Sequence, residues 1–96
     1  MACLVGIAGP VAGRHFLLED HEYTLGRGSS ATIRLTDPGV SRRHARLVKV
    51  TGSHEVEDLE SFNGTYVNGA RVQRERLKDG DEVRICHDVF RYEADE

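Results

Sequence analysis

Apolar and β-branched residues occur along this chain in short runs, and residues that favour turns separate the runs. No run keeps a helical apolar period over three turns, so the pattern predicts strands rather than helices. The predicted strands are Cys3–Ile7, Arg14–Leu18, Glu22–Gly26, Thr32–Leu35, Ala45–Lys49, His54–Asp58, Thr65–Val67, Arg71–Val72, Glu82–Cys86 and Val89–Tyr92. The chain is therefore predicted to be all-β.

The connections carry residues that tolerate left-handed backbone angles. Turns are predicted at 8–13, 63–64, 68–69 and 79–80. The pair Asn68–Gly69 lies between TYV and ARV and favours a two-residue type I′ hairpin. Strands this short and numerous favour a two-layer sandwich, in which loops from both sheets meet at one end and jointly form a site.

The length of 96 residues suits one domain over 1–96, with its core at about 2–92. Hydrophobic residues make up 39% and charged residues 30%, which is typical of a soluble globular chain. There is no apolar run long enough for a bilayer, and MACLVGIAGP lacks the basic flank of a signal peptide. We expect a cytoplasmic protein with no membrane contact. The acidic end EADE is either a solvated terminus or a connection to a further domain of a larger signalling protein.

The charge pattern favours a small anionic ligand. The net charge of −3 argues against a general nucleic-acid binder. However, SRRHARLVK at 41–49 carries four positive residues and no acid, whereas residues 55–60 carry four acids and no base.

Cofactor and metal chemistry have no signal in the sequence. Cys3 and Cys86 lie near opposite ends of the chain and are predicted to be free thiols. The five histidines are scattered without the close pairing of metal ligands. We therefore predict no metal and no cofactor.

Four segments place donors and cations outside the strands: LGRGSS at 25–30, VSRRH at 40–44, SFNGT at 61–65 and VNGAR at 67–71. Their order and spacing resemble the forkhead-associated (FHA) family, whose pattern is Gly-Arg, then Ser-Arg-x-His, then Ser-x-Asn-Gly-Thr, then Asn-Gly. The resemblance extends from about Ala2 to Tyr92. It implies a sandwich of about eleven short strands in two sheets, with loops at one end that recognise phosphothreonine.

The resemblance assigns the phosphate to Arg27, Ser41 and Arg42, and the ligand main chain just after the phosphothreonine to Asn63. Physical chemistry is consistent with these roles, because a phosphate carries a charge of about −1.5 to −2 and needs fixed cations and short donors. An arginine offers a planar fork of donors that lysine lacks. By resemblance, a small apolar niche for the threonine γ-methyl favours threonine over serine.

Other residues are predicted to support or border the site. Support is assigned to Gly26, His44, Ser61, Gly64, Thr65, Asn68 and Gly69, with His44 bracing the loops. Peripheral or specificity positions are Gly28, Ser29, Ser30, Arg43 and Phe62. Phe62 departs from the family pattern, since some members have a threonine there whose hydroxyl reaches the phosphate.

Three functions are compatible with these residues. The leading one is a non-enzymatic module that binds a threonine-phosphorylated partner, so an upstream Ser/Thr kinase is implied and nucleic acid is not. It would act in the cytoplasm, or in the nucleus of a eukaryote. The second is a phospho-independent interaction or dimerisation module with the same fold. The third is an enzyme with a Ser41–His44 pair oriented by Asp58, for which the sequence has no oxyanion hole or substrate pocket signal.

Overall fold

The computed structural model describes residues 1–95 and contains eleven strands and one 3₁₀ turn at Gly9–Val11. The strands are β1 (Cys3–Ala8), β2 (His15–Leu17), β3 (Glu22–Gly26), β4 (Ile33–Arg34), β5 (Ala45–Val50), β6 (Ser53–Asp58), β7 (Thr65–Val67), β8 (Ala70–Val72), β9 (Arg74–Arg76), β10 (Glu82–Ile85) and β11 (Asp88–Glu93). Glu96, the last residue of the predicted domain, lies outside the described residues.

The strands form two sheets. The first has the order β2-β1-β11-β10-β7-β8, and the second has the order β4-β3-β5-β6-β9. Neighbours pair antiparallel except β3 and β4, which are parallel. Because β1 pairs with β11, the two terminal strands lie side by side.

Alternating side chains fill the space between the sheets. Leu47 and Val56 are opposite each other on β5 and β6, and both are buried. The next pair in the register, Arg46 and Glu57, faces outward and forms an ion pair at 2.5 Å. This period of two places one face of each strand in the core and the other in solvent.

The all-β prediction and the two-sheet sandwich are confirmed. The Asn68–Gly69 hairpin is also confirmed, since these residues have φ of 51° and 85° and join the paired residues Val67 and Ala70. The pattern missed β9, because Arg74–Arg76 has no apolar residue and all three residues are exposed. Its backbone nevertheless pairs with β6 at the edge of the second sheet.

Residues 1–95 include no helix that is both long enough and apolar enough to cross a membrane.

Candidate binding site

Backbone hydrogen bonds join two of the predicted loops into one unit. The N–H of Arg27 donates to the Ser41 carbonyl at 3.0 Å, and the N–H of Gly28 donates to the Arg42 carbonyl at 3.1 Å. A Cβ on Gly26 would lie 2.1 Å from the Arg42 carbonyl oxygen. Only glycine therefore allows β3 to approach the 40–43 loop this closely.

Arg27 is exposed but oriented. Its Nε donates to the Val40 carbonyl at 3.0 Å, on the loop that also carries Ser41. This bond uses one side of the guanidinium, so the two terminal amino groups remain as donors for a ligand. The arrangement gives a fixed cation with a planar fork of donors.

The Ser41 hydroxyl connects the second of the four loops, VSRRH at 40–44, to the third, SFNGT at 61–65. Its Oγ accepts a hydrogen bond from the Phe62 N–H at 3.1 Å, so the hydroxyl proton stays available to donate to an anion. Arg42 and Arg43 follow directly and are exposed. The Phe62 side chain is 88% exposed, although its backbone supports Ser41.

His44 is fully buried and forms hydrogen bonds to the backbone of two loops. Its Nδ1 accepts a hydrogen bond from the Ser41 N–H at 3.1 Å, which places the ring proton on Nε2. Nε2 then donates to the Gly64 carbonyl at 2.8 Å. Because both ring nitrogens are occupied by backbone groups, neither is available as a base for the Ser41 hydroxyl.

Asp58 organises the third loop, SFNGT at 61–65. The sequence had indicated Asp58 only as the residue that would orient a catalytic Ser41–His44 pair. Its Oδ1 accepts from the Ser61 hydroxyl at 2.5 Å and the Thr65 hydroxyl at 2.8 Å, and Oδ2 accepts from the Ser61 N–H at 3.1 Å. Burial acts to raise the pKa of Asp58, but these bonds from Ser61 and Thr65 outweigh burial and lower it. The carboxylate is thus held charged beneath the loop.

Asn63 lies in a neighbouring groove with Gly39 and Cys86, apart from the surface lined by Arg27, Arg42 and Arg43. Its Nδ2 donates to the Gly39 carbonyl at 2.7 Å and lies 3.7 Å from the Cys86 Sγ. The side-chain carbonyl of Asn63 remains free to accept from a ligand N–H. Burial raises the pKa of the Cys86 thiol, although the hydrogen bond from Asn63 opposes the shift.

The remaining predicted support residues divide into two groups. Gly64 has φ of 86° and a Cβ there would lie 2.7 Å from Nε of Arg71, so it shapes the third loop. Asn68 instead binds Asp81 and the backbone of Glu82 near the start of β10. Asn68 and Gly69 therefore form the hairpin and do not join the other loops.

The joined loops surround one open depression, lined by Arg27, Gly28, Ser29, Ser30, Arg34, Arg42 and Arg43. It includes the predicted Arg27, Arg42 and Arg43. It also includes Arg34, which the residue pattern predicted only as part of a strand. Every charged side chain along this lining is an arginine, so the depression is suited to an anion.

A protein-family model described as "FHA domain" matches residues 23–86, which is well over half of the chain. The matched segment contains all of the loops described above. The chain belongs to the FHA family, and the family prediction is confirmed.

Among its relatives is an "Oxoglutarate dehydrogenase inhibitor" of Corynebacterium diphtheriae, 49% identical over 82 residues that cover 85% of this chain and 57% of the relative. Another is the "Glycogen accumulation regulator GarA" of Mycolicibacterium smegmatis, 45% identical over 84 residues that cover 88% of this chain and 53% of the relative. The chain thus spans about half the length of these relatives, whose names describe regulators.

A solved structure from work on "phosphothreonine-dependent FHA domain interactions" superposes with a TM-score of 0.88 at 36% identity, covering 99% of this chain and 97% of the other. Phosphothreonine-dependent interaction, the class of function predicted from the sequence, is therefore described for a close structural neighbour.

Proposed function

We propose that this chain is a non-enzymatic module that binds a threonine-phosphorylated segment of a partner protein, making that contact dependent on a Ser/Thr kinase. Arg27, Ser41 and Arg42 bind the phosphate, and the Asn63 carbonyl accepts from the peptide main chain beside it. The supporting observation is that the Val40 carbonyl holds the Arg27 guanidinium and the Phe62 N–H holds the adjacent Ser41 hydroxyl, with the remaining donors of both side chains free.

The absence of an enzymatic role is part of this proposal. Both nitrogens of His44 are engaged by backbone groups, which leaves Ser41 without a neighbouring base from that ring.

We also propose that residues 1–96 act as one domain of a longer cytoplasmic protein, or of a nuclear one in a eukaryote. The net charge of −3 does not favour nucleic acid as the partner.

A calorimetric comparison of matched peptides tests the phosphate role. The peptides carry phosphothreonine, phosphoserine, phosphotyrosine or plain threonine in one sequence context. Arg27→Ala should weaken phosphothreonine binding by about tenfold or more, since a hydrogen bond to a charged group contributes about 1.5–3 kcal/mol. Arg91→Ala is the matched control, because it removes the same charge from an exposed Arg91–Glu93 pair on β11. Equal binding of plain threonine would overturn the proposal.

One observation favours a second function. Phe62 is 88% exposed on a loop of the site and is the most exposed of the large apolar side chains on this molecule. A phospho-independent interaction surface centred on Phe62 predicts that Phe62→Ala abolishes partner binding whereas Arg27→Ala does not. The peptide series and these two variants separate the two functions.

A further inference from the structure

Arg34 is a cation of the arginine-lined depression that the phosphothreonine proposal does not use. It lies on the two-residue parallel strand β4, directly opposite Gly26. Its neighbour Ile33 is buried and Arg34 is exposed, so the strand directs Arg34 outward. The Nε of Arg34 donates to the Arg27 carbonyl at 3.2 Å, which fixes it beside the phosphate-binding arginine.

The depression holds more positive charge than one phosphate requires. Its lining includes the guanidinium groups of Arg27, Arg34, Arg42 and Arg43 and no carboxylate. A phosphate of about −2 is balanced by two of them. Two positive charges are left over at the same site.

These four arginines lack ion pairs within residues 1–95, as do Arg71 and Arg76, but the four line one common depression. Arg46, Arg74 and Arg91 are paired with carboxylates, and Arg14 and Arg84 lie over aromatic rings. Clustering unpaired like charges is unfavourable unless an anion balances them. The cluster is therefore better matched to a ligand with two anionic groups.

We propose that Arg34 and Arg43 form a second anionic subsite for a carboxylate or phosphate carried on the same peptide as the phosphothreonine. This inference rests on the proposed function. Asn63 lies in a separate groove with Gly39 and Cys86 and is assigned to the main chain after the phosphothreonine. The second anion is therefore assigned to the residues before the phosphothreonine.

The geometry of an extended peptide suggests how many residues separate the second anion from the phosphothreonine. In an extended peptide, side chains two positions apart project to the same side and are about 6.6 Å apart along the chain. Arg27 directly follows β3 and Arg34 lies on the adjacent β4, so their long side chains allow two anions at such a separation. The second anion is therefore placed two residues before the phosphothreonine.

The test measures the affinity of peptides that differ only in this position. One series has alanine, glutamate or phosphoserine two residues before the phosphothreonine, and a second series has the same residues two positions after it. Glutamate before the phosphothreonine should tighten binding by about threefold to tenfold, and phosphoserine should tighten it further. The comparison of glutamate with phosphoserine distinguishes a natural acid from a second phosphorylation.

Variants locate the effect. Arg34→Ala should remove most of the gain from the preceding anion while leaving the alanine-context peptide bound nearly as before. Arg34→Lys should retain part of the gain, and Arg91→Ala should leave it unchanged. A peptide with the preceding phosphoserine and plain threonine should bind weakly, which excludes simple occupation of the first site by the second phosphate.

The two proposals fail in different ways. If no phosphothreonine peptide binds better than its plain form, the proposed function is wrong. If phosphothreonine binds but the preceding anion adds nothing, or adds the same in Arg34→Ala as in the unchanged protein, only the second subsite is wrong. An equal gain in affinity from an anion before or after the phosphothreonine would also overturn the second subsite. That result would indicate non-specific electrostatic attraction to the arginines.

Discussion

The β5–β6 hairpin carries a buried histidine at each end, and the two are used differently. His44, at the binding-loop end, has both ring nitrogens hydrogen-bonded to backbone groups of Ser41 and Gly64. His54, at the other end, is 4% exposed and bonds to the Tyr92 hydroxyl through Nδ1 at 2.8 Å. Its Nε2 has no hydrogen-bond partner among residues 1–95.

Two buried aspartates repeat the contrast. Asp58 accepts three hydrogen bonds from Ser61 and Thr65, and its pKa is lowered despite burial. Neither Asp88 oxygen has a partner of good hydrogen-bond geometry within the described residues, although the Val11 N–H is near enough to lower the pKa of Asp88; burial has the larger influence and raises that pKa. The buried polar groups at the binding loops thus have hydrogen-bond partners. Those elsewhere in the sandwich have atoms without partners, which costs stability.

The largest effect is expected from His44→Ala. The substitution leaves the Ser41 N–H and the Gly64 carbonyl without their buried partner and opens a cavity, so it should lower the free energy of unfolding by about 3 kcal/mol. It should also weaken phosphothreonine-peptide binding, since Ser41 loses its support. Urea unfolding and peptide calorimetry measure the two effects. A loss no larger than that of His54→Ala would contradict the distinction between the two histidines.

Asp58→Ala should rank second. Two hydroxyl groups and the Ser61 N–H lose their acceptor, which we expect to cost about 2–3 kcal/mol. The lowered pKa gives the pH dependence its sign. Stability from Asp58 is present above the unfolded pKa of about 3.9 and is lost as the pH falls through the lower folded pKa. Urea midpoints from neutral pH to acid should therefore converge for the variant and the unchanged protein; parallel curves would argue against this role.

His54→Phe should have a smaller effect that depends on pH. Burial, followed by the charge of Lys49, lowers the pKa of His54 in the folded protein. Below the unfolded value of about 6.5, the unfolded chain takes up a proton that the folded chain does not, so stability is lost as the pH falls. The phenylalanine should flatten the urea midpoint between about pH 7 and about pH 5. An unchanged slope would assign the acid sensitivity to other groups.

Asp88→Asn should have the smallest effect and the opposite sign. Because the folded pKa is raised, the aspartate costs stability as the pH rises above the unfolded value of about 3.9. The neutral amide should raise the free energy of unfolding at neutral pH by up to about 1 kcal/mol, with the gain shrinking in acid. Paired thermal melts at both pH values test this, and a destabilised variant at neutral pH would show that the charge is compensated.

The sequence predicts the fold well because alternating patterns and turn residues act locally. Asn68–Gly69 sets its own hairpin, and the buried Leu47 and Val56 follow a period of two. β9 escaped prediction because its pairing with β6 is a backbone property that Arg74–Arg76 does not encode in hydrophobicity.

Part of the proposed site follows from the sequence for the same kind of reason. Motif residues such as Arg27 and Ser41 stand in loops where their type is informative. The roles of Asp58 and Arg34 depend on contacts that only the folded chain makes. Asp58 accepts hydrogen bonds from the Ser61 and Thr65 hydroxyls, and the parallel pairing of β3 and β4 places Arg34 beside the depression. Whether Phe62 weakens phosphate dependence remains a prediction for the peptide series.

The pairing of the terminal strands has a consequence for how the domain is made. β1 lies between β2 and β11, so its second edge is covered only when the last strand has been synthesised. Contacts between such distant segments are closed late and slowly, because the whole intervening chain must be ordered first. During translation the domain should therefore remain unfolded until its final residues leave the ribosome, and a chain shortened before β11 should aggregate through the open edge of β1.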